Sequence, residues 1–461
     1  MAWIFEKNEY ILHWIFEMIY INRQIDKELK SWAASKSRKP LLLRGARQVG
    51  KSSSVRMLSK KFDYYLEVNF EKDKNIRELF AAADSLQPQA LCAKLSLLKE
   101  TPIVPGKTLL FFDEIQGSLP AISSLRFFYE DYPALHVVAA GSLLEFALEE
   151  LPSFGVGRIR SLFMHPFSFF EFLTACRKGL LLEAIKKATP ENPLDDVVHR
   201  KAVEYLRTFL IIGGMPEVVS TYVAGNDLHK CQLVLDDLMT TLRSDFVKYK
   251  KRIPALQISA IFDSVVKQAG KKFAFSSASQ EYSHYQIKQA LEMLKMAGLV
   301  IPVVHTSATG LPLGADINPK KQKMLLLDTG ILQRLQNLNL ADILLSDNFD
   351  LVNKGSIAEM YAGLELLKTS SCYVPQQLYY WQREEKNNHA DVDYIVQQGD
   401  KIVPIEVKSG TSGKMQSLHL FISEKKSEYG VRASLENFAK YDKIRVYPLY
   451  AIGNLNEKNQ K

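Results

Sequence analysis

Short apolar runs alternate with segments of helical spacing in the first part of the chain. The runs predict buried strands at Leu41–Leu43, Tyr64–Phe70, Thr108–Phe112 and His136–Ala140. The intervening segments predict helices such as Ile76–Ala82 and Ile122–Tyr129. Continuous apolar runs are typical of strands buried on both faces, and alternation of strands with helices is typical of a parallel sheet. The pattern therefore predicts an α/β fold, a three-layer sandwich around a parallel sheet.

The pattern changes after the linker-like stretch Lys186–Asn192, beyond which helical spacing dominates. The glycines and proline of Gly213–Glu217 predict a sharp helix break. Helical spacing over Ile258–Gln268 and Tyr285–Gly298 is then followed by two apolar runs, Val300–Val304 and Met324–Leu327. Two helices followed by a hairpin resemble a winged helix, whose second helix can enter the major groove of DNA.

The outward face of this second helix and the hairpin supply the residues expected to contact DNA. They are Ser283, His284, Gln286, Lys288 and Gln289 on the helix, with Lys320, Lys321 and Lys323 adding positive charge at the wing. A module of this kind that binds only protein is the alternative interpretation.

The last part of the chain predicts a helix, Gly355–Leu367, and then two strands around Asp393 and over Ile402–Lys408. Gln397–Asp400 reads as the hairpin turn between these strands. The chain thus divides into an N-terminal helical extension (1–20), an α/β domain (21–180), a helical and winged-helix-like module (195–330), a C-terminal α/β domain (331–453) and a polar tail (454–461) that is expected to fray.

Composition limits the possible partners. The chain has 461 residues and a formal net charge of +8, which permits contact with nucleic acid without requiring it. The four cysteines are widely spaced and fit free thiols in a reducing cytoplasm better than a metal site. The apolar stretch Tyr10–Ile21 is interrupted by His13 and Glu17 and is too short to span a bilayer. We therefore expect a cytoplasmic protein with no membrane partner.

One motif carries specific chemistry, because Gly45-Ala-Arg-Gln-Val-Gly50-Lys51-Ser52 fits the pattern G-x-x-x-x-G-K-[ST] of phosphate-binding loops. In such a loop the backbone N–H groups and the following helix N-terminus bind a polyphosphate. Lys51 is expected to reach the β- and γ-phosphates and to take part in catalysis, and Ser52 is expected to ligate Mg²⁺. ATP and Mg²⁺ are the predicted cofactors. The loop residues predicted to contact the nucleotide are Gly45, Ala46, Arg47, Gln48, Val49, Gly50, Lys51, Ser52 and Ser53.

The third predicted strand ends in Asp113-Glu114, a Walker B pattern. Asp113 at the carboxyl end of the strand is expected to hold Mg²⁺, and Glu114 to polarise the attacking water. The fourth strand leads to Ser142, which could contact the γ-phosphate or, alternatively, serve as a helix N-cap.

Together with Gly157-Arg158 and the stretch that follows to Phe172, these motifs resemble the AAA-type P-loop ATPase family of bacteria and archaea that carries an uncharacterised C-terminal domain. The resemblance continues through Gly213–Glu217 and Leu242–Asp245. It implies an ATPase that can form a homo-oligomer through its ATPase domain. It also implies that Arg158 neutralises phosphate charge in its own subunit or a neighbouring one, with Arg160 as a competitor and a surface arginine as the alternative.

Glu359, Asp393, Glu406 and Lys408 form a second chemical pattern. With the two predicted strands they resemble the PD-(D/E)xK nuclease fold, that is, a restriction-endonuclease-like α/β domain. The resemblance implies a Mg²⁺ site at Glu359, Asp393 and Glu406, because hard cations prefer oxygen ligands. Asp393, Glu406 and Lys408 would then be catalytic, since Lys408 lies on the same strand face as Glu406 and can position water.

Three functions follow from these patterns. The first is an Mg²⁺-dependent ATPase whose nucleotide state controls a nuclease-fold domain that acts on nucleic acid, DNA rather than RNA. The second is an ATP-dependent binding or assembly switch with an inactive nuclease fold. The third is a transcriptional regulator that acts through the winged-helix-like module.

Overall fold

The structure is a computed structural model that describes residues 20–82, 87–151, 155, 157–249, 253–337, 354–383, 390–411 and 415–457. Two compact units form this part of the chain. One contains the described residues up to His165 together with Cys372–Pro375, and the other contains Pro166–Ser371 and the described residues from Gln376 onward. Apart from Tyr20, the predicted N-terminal extension lies outside the described residues.

The first unit alternates strands with helices. Its strands are β1 (Leu41–Arg44), β2 (Tyr64–Asn69), β3 (Thr108–Asp113), β4 (His136–Ala140) and β5 (Arg160–Phe163). Its helices are α1 (Ile25–Ala34), α2 (Lys51–Ser59), α3 (Lys74–Ala81), α4 (Pro88–Leu98), α5 (Leu119–Asp131) and α6 (Leu144–Glu150), with a 3₁₀ turn at Ile115–Gly117.

The strands of the first unit form one parallel five-stranded sheet in the order β2-β3-β4-β1-β5. Every residue of β3 and of β4 is buried, so both faces of the sheet centre are covered. Phe112 of β3 is central to this core, with its ring 5.6 Å from that of Phe70 and 5.7 Å from that of Phe80. The predicted α/β fold with a parallel central sheet is confirmed. Its carboxyl edge brings the ends of β1, β3 and β4 together.

The second unit begins with helices and ends with a mixed sheet. Its helices are α7 (Phe169–Ala175), α8 (Gly179–Lys187), α9 (Asp196–Ile212), α10 (Pro216–Gly225), α11 (Leu228–Asp245), α12 (Ala255–Lys267), α13 (His284–Met296), α14 (Thr329–Leu335), α15 (Lys354–Lys368), α16 (Gln416–Lys425) and α17 (Asn454–Glu457). Its strands are β6 (Val300–Thr306), β7 (Ile317–Leu326), β8 (Leu378–Gln382), β9 (Asp391–Gln398), β10 (Lys401–Val407), β11 (Gly430–Ser434), β12 (Ala439–Tyr441) and β13 (Ile444–Pro448). Short 3₁₀ turns lie at Phe246–Tyr249, Phe275–Ser277, Leu313–Asp316 and Leu449–Ala451.

The helix break predicted at Gly213–Glu217 is confirmed, because α9 ends at Ile212 and α10 begins at Pro216. Gly213 has a φ of 74°, and a Cβ there would lie 2.0 Å from Asp328 Oδ1. The Asp328 carboxylate, which is wholly buried, accepts a hydrogen bond from the backbone N–H of Gly214 at 2.6 Å. Only glycine fits this position, since a side chain would displace the carboxylate.

The sheet of the second unit has eight strands in the order β12-β13-β11-β10-β9-β8-β6-β7. From β8 to β10 the strands are antiparallel, whereas β10 and β11 are parallel and are separated in sequence by α16. The hairpin predicted at Gln397–Asp400 is present, with Gly399 at a φ of 62°.

The hairpin β6–β7 belongs to this same sheet, because β6 pairs with β8 in parallel. The strands predicted as a wing and those of the predicted C-terminal domain therefore share one sheet, and the boundary drawn at residues 330 and 331 lies inside one compact unit.

The start of the predicted polar tail is folded rather than frayed. Asn454 and Leu455 are buried, and the Asn454 amide donates to the carbonyl of Ile185 at 2.8 Å. Asn456 donates to the carbonyl of Leu366 at 2.7 Å. The expectation of fraying was wrong for these residues because their amide side chains satisfy buried carbonyls; residues 458–461 lie outside the described part.

No helix among the described residues combines the length and the apolar character that crossing a bilayer requires.

Candidate functional sites

The loop between β1 and α2 has the backbone that a phosphate-binding loop requires. Gly45, Gln48 and Gly50 all have positive φ, at 145°, 62° and 96°. A Cβ at Gly45 would lie 2.2 Å from the carbonyl oxygen of Met164, so a side chain there is excluded. In phosphate-binding loops, curvature of this kind turns backbone N–H groups toward the bound phosphate.

Lys51 lies at the first position of α2, at the mouth of this loop. Its side chain is buried, and its ammonium donates to the carbonyl oxygens of Gly45 at 2.9 Å and Ala46 at 2.7 Å. Burial lowers the pKa of Lys51 to about 8, although the nearby Glu114 and Asp113 carboxylates oppose the shift. The loop thus presents a cation together with backbone N–H groups and the N-terminus of a helix.

Ser52 and Asp113 meet at the carboxyl edge of the sheet. The Ser52 hydroxyl donates to Asp113 Oδ1 at 2.9 Å, and the Asn69 amide lies 3.4 Å from Asp113 Oδ2. Burial raises the pKa of Asp113. A hydroxyl and a carboxylate in contact, beside a phosphate-binding loop, are a donor set that suits Mg²⁺.

Glu114, the second acid of the Walker B pattern, is held by two neighbours. Its backbone is left-handed with a φ of 49°, and its Oε2 accepts from Gln116 Nε2 at 2.6 Å and from the Ser142 hydroxyl at 3.1 Å. The Ser142 hydroxyl in turn accepts from Arg47 Nε at 3.1 Å. Ser142 therefore joins the loop to Glu114. The N-cap of α6 is Leu143, and no side chain caps that helix.

Two residues that sequence reasoning did not assign also support the loop. The Arg23 guanidinium is buried and donates to the carbonyls of Val49 at 2.9 Å and His165 at 2.7 Å. The second residue, Gln116, holds the Glu114 carboxylate through the hydrogen bond from its Nε2 to Glu114 Oε2. A buried arginine before a helix has no local sequence signal, because its partners are distant in the chain.

Three other residues considered as nucleotide contacts, Ser53, Arg158 and Arg160, have described surroundings of a different kind. Arg158 forms an ion pair with Glu130 of α5. Ser53 is exposed on α2. Arg160, the competitor, lies over the ring of Tyr373, with its Cζ 5.7 Å from the ring centroid. A role for Arg158 at phosphate stays a prediction.

The second pattern forms a cluster at one end of the β9–β10 ladder, here called the carboxylate cluster and defined as Glu359, Asp393, Glu406, Lys408 and Lys323. Ile405 pairs with Tyr394, and Glu406 and Asp393 are the next residues beyond this pair. Asp393 Oδ2 accepts from the backbone N–H of Val407 at 2.9 Å. Lys408 Nζ lies 2.8 Å from Glu406 Oε1.

Glu359, on α15, joins the cluster through Lys323, which was predicted to lie at the wing of the winged-helix-like module. Lys323 Nζ lies 2.6 Å from Glu359 Oε1 and 3.3 Å from Asp393 Oδ1, and the Lys323 side chain is 5% exposed. The prediction that Lys323 adds charge to an exposed wing was therefore wrong. The ammonium is buried because it neutralises two acids that come from separate elements.

Burial and mutual repulsion dominate the titration of the cluster. Desolvation, followed by the charge of Asp393, raises the pKa of both Glu359 and Glu406 to about 7. Desolvation lowers the pKa of Lys323, but the Glu359 and Asp393 carboxylates outweigh it, so the net shift of this pKa is upward. The described residues contain no group of three or more His, Cys, Asp or Glu side chains placed to hold a metal ion.

The helix predicted to read DNA exposes part of the expected face. His284 and Lys288 are exposed, whereas Gln286 and Gln289 are half-buried. Gln286 is used locally, since its side chain accepts from the backbone N–H of Ser283 at 2.9 Å in a capping box. The exposed Tyr285, which was not predicted, lies between His284 and Gln286. A role in DNA binding stays a prediction.

Three family models match separate parts of the chain. A family described as an AAA domain matches residues 37–173. Two domains of unknown function, DUF8612 and DUF4143, match residues 203–342 and 354–452. The first match supports an AAA-type P-loop domain in the first unit, whereas the other two assign no activity. No curated protein matches the chain.

Solved structures similar to the chain include the Walker-type ATPase PABY2304 of Pyrococcus abyssi, with a TM-score of 0.46 and 14% identity over 69% of this chain and 96% of that one. The ORC1 protein of Aeropyrum pernix in complex with DNA has a TM-score of 0.31 and 12% identity, over 71% and 96%. The RuvB Holliday junction branch migration motor of Thermotoga maritima has a TM-score of 0.25 and 14% identity, over 65% and 93%. These likenesses are too distant to carry an argument about activity or partners.

Proposed function

We propose that this chain is an Mg²⁺-dependent ATPase whose nucleotide state controls a C-terminal nuclease-like domain that acts on DNA. The observation that carries the ATPase part is the contact between Ser52 and Asp113 beside the phosphate-binding loop. The AAA-domain match over the same residues adds independent support.

Each side chain of the first site has a part in this proposal. The loop N–H groups and Lys51 would bind the β- and γ-phosphates, and Ser52 and Asp113 would hold Mg²⁺. When bound, Mg²⁺ neutralises charge on the phosphate oxygens. Glu114 would accept a proton from the attacking water, and Ser142 with Gln116 would keep its carboxylate in position. Because the Ser142 hydroxyl contacts both Arg47 and Glu114, a phosphate bound at Arg47 would affect the position of the Glu114 carboxylate.

Hydrolysis of ATP by the purified full chain tests this proposal. We expect Mg²⁺-dependent release of phosphate that Lys51→Ala abolishes, because the ammonium stabilises phosphate charge. The matched control is Lys94→Ala, which removes an exposed lysine from α4 of the same unit. Equal turnover in the parent and in Lys51→Ala would contradict the ATPase assignment.

The nuclease-like part of the proposal rests on a cluster of four side chains from three elements. Glu359 comes from α15, Asp393 from β9, Glu406 from β10 and Lys408 from the position just past the end of β10. Glu406 is buried, and its Oε2 has no hydrogen-bond partner within the described part of the chain. An acceptor buried in this way costs free energy unless a cation or a donor meets it, so it favours a cation at the cluster. If a metal binds there, Glu359, Asp393 and Glu406 would hold it and Lys408 would position water.

Cleavage assays on linear, circular and single-stranded DNA and on RNA, with Mg²⁺ or Mn²⁺, test this part. We expect cleavage of DNA in the presence of ATP, because the nucleotide state is proposed to control this domain, and we expect Asp393→Ala to remove it. Asp400→Ala, in the neighbouring hairpin turn, is the matched control. Cleavage that persists in Asp393→Ala would identify a contaminant and overturn the nuclease assignment for this cluster.

A second candidate is an ATP-dependent binding or assembly switch with an inactive nuclease fold. The ion pairs that Lys323 makes with Glu359 and Asp393 favour it, since an ammonium already neutralises the acids that a metal would need. No cleavage of any nucleic acid, combined with ATP-dependent binding of DNA, would select this candidate over the first.

We further propose that the chain forms a homo-oligomer through its ATPase domain and that Arg158 acts on the nucleotide of a neighbouring subunit. Subunit mixing tests this directly. Arg158→Ala and Lys51→Ala are each expected to be inactive, whereas a mixture regains activity at interfaces that combine an intact loop with an intact arginine. A mixture no more active than its components would place Arg158 in its own subunit or outside catalysis.

A further inference from the structure

Lys323 supplies a cation to the carboxylate cluster from outside the segment that holds the acids. It lies on β7, within residues 203–342, whereas Glu359, Asp393 and Glu406 lie within residues 354–452, and these two ranges match separate family models. Its ammonium bridges Glu359 Oε1 and Asp393 Oδ1, at 2.6 and 3.3 Å. One segment of the chain thus places a positive charge between the acids of the next.

The cluster still has an unmet acceptor. Lys323 contacts Glu359 and Asp393, and Lys408 contacts Glu406 through Oε1 at 2.8 Å. Glu406 is 7% exposed, and its second oxygen, Oε2, is buried with no hydrogen-bond partner among the described residues. Three carboxylates share two ammonium groups, so the acids outnumber the cations and one buried oxygen is left over. Carboxylate oxygens of this kind would suit a small divalent cation if the lysine between them were withdrawn.

Two cations cannot share the space between Glu359 and Asp393, because a divalent ion a few ångströms from an ammonium would be strongly repelled. The strand that carries the ammonium is at the edge of the sheet. Among the described residues β7 pairs with β6, with one isolated bridge from Lys323 to Lys272 on its other side. Displacing an edge strand disrupts one hydrogen-bonded ladder, whereas displacing a central strand disrupts two.

We propose that Lys323 is a built-in counter-cation that excludes divalent metal ions from Glu359, Asp393 and Glu406, and that metal enters when this side chain is withdrawn. The inference rests on the proposed nuclease-like site and adds its regulation. The edge strand β7 then blocks the cluster, and a displacement of this strand that withdraws the Lys323 side chain would convert a neutralised cluster into a metal site.

Titration with Mn²⁺, followed by the loss of the free-ion electron paramagnetic resonance signal, tests the proposal. All proteins carry Asp113→Asn, so that the first site contributes no metal binding. We expect Lys323→Met to bind Mn²⁺ about tenfold or more tightly than the parent. Lys320→Met, on the exposed part of the same strand, should match the parent, and adding Asp393→Asn to Lys323→Met should remove the new binding.

Tight Mn²⁺ binding by the parent that Asp393→Asn abolishes would overturn the proposal, since Lys323 would then not exclude the ion. Folded Lys323→Met with no gain in binding would overturn it as well. If Lys323→Met does not fold by itself, thermal unfolding with added Mn²⁺ replaces the titration. Recovery of a cooperative transition with Mn²⁺, but not with sodium chloride of equal ionic strength, supports the proposal, and no recovery contradicts it.

This readout is independent of both activities. A Lys323→Met protein that binds Mn²⁺ through Asp393 but cuts no nucleic acid keeps the inference and overturns only the nuclease assignment. Loss of ATP hydrolysis has no bearing on it, because the titration is performed with Asp113→Asn throughout.

Discussion

In the phosphate-binding loop Lys51 donates to two backbone carbonyls, whereas in the carboxylate cluster Lys323 donates to two carboxylates. Both lysines are buried, yet burial lowers the pKa of Lys51 to about 8, while the acids around Lys323 raise its pKa despite burial. The same side chain therefore has different partners in the two units. The described hydrogen bonds of Lys51 go to uncharged carbonyls, whereas those of Lys323 go to carboxylates.

The acids differ in the same way. Asp113 accepts from the uncharged Ser52 hydroxyl, a group that can itself bind a metal ion. Asp393 is held by a backbone N–H and an ammonium. A metal that approaches Asp113 meets a second ligand, whereas a metal that approaches Asp393 meets a competing cation. The local partners of a carboxylate, more than its identity, decide whether it is ready to bind metal.

The largest effect is expected at Glu114. Glu114→Gln keeps the size of the side chain but removes the base, so ATP turnover should fall by about 10²- to 10⁴-fold. Nucleotide affinity, measured by calorimetry, should change little, since Lys51 and the loop remain. Glu78→Gln, at an exposed position of α3, is the control on the same unit. Turnover within a factor of two of the parent would remove Glu114 from the mechanism.

The two lysines should differ in their effect on stability. Lys323→Ala leaves buried carboxylates without their cation and should reduce the free energy of unfolding by about 3–5 kcal/mol. Lys51→Ala removes two hydrogen bonds to carbonyls and should cost about 1–3 kcal/mol. Urea unfolding of both variants measures the difference. Equal losses of stability would show that carbonyl partners and carboxylate partners stabilise a buried lysine to the same extent, contrary to this prediction.

Glu365 sharpens the comparison, because it is a further buried acid beside a lysine in the second unit. It lies 3.5 Å from Lys368 and accepts from the backbone N–H of Phe169 at 2.9 Å, and burial raises its pKa from 4.5 to about 7. The folded protein holds this proton more tightly than the unfolded chain does. The stabilisation is therefore complete below pH 4.5 and is lost as the pH rises through 7, by up to about 3 kcal/mol.

Glu365→Gln should remove that part of the pH dependence, because the amide cannot ionise. Chemical unfolding at several pH values between 4.5 and 8 measures it. The control, Glu183→Gln, changes an exposed residue of α8 and should follow the parent curve. A Glu365→Gln curve that falls between pH 4.5 and 8 as steeply as the parent curve would contradict the prediction.

The smallest effect is expected at Ser142. Ser142→Ala removes one hydrogen bond to the Glu114 carboxylate, and Gln116 retains the other, so ATP turnover should fall by only about tenfold. Steady-state kinetics should show the change in kcat rather than in KM. Ser142→Thr keeps the hydroxyl and should recover most of the activity. An unchanged kcat in Ser142→Ala would dissociate Ser142 from Glu114.

Local sequence signals were sufficient for the first site. The apolar runs predicted β1, β3 and β4 nearly to their ends, and the glycine and lysine spacing predicted the phosphate-binding loop between β1 and α2. Asp113 ends β3 and Glu114 follows it, so the rules of parallel sheets place them at the edge where the loop lies. Gln116 and Arg23 were missed because their roles depend on contacts with Glu114 and Val49 that no short-range pattern encodes.

In the second unit the same reasoning found the residues but not their partners. Period-two alternation predicted that Glu406 and Lys408 share one face; Glu406 lies on β10 and Lys408 just past its end, and the ion pair between them agrees with the prediction. Lys323 looked like exposed charge on a hairpin, because its neighbours Lys320 and Lys321 are also basic. Nothing in the order of residues relates position 323 to positions 359 and 393.

The sequence by itself determined the alternation of elements, the phosphate-binding loop and the identity of the acids, because each follows from spacing along a strand or a helix. Only the tertiary structure decided which cation those acids meet. The pairing of β6 with β8 brings β7, and Lys323 with it, to the end of the β9–β10 ladder. Burial removes water from that place, and the acids are then neutralised by whichever positive charge the fold delivers.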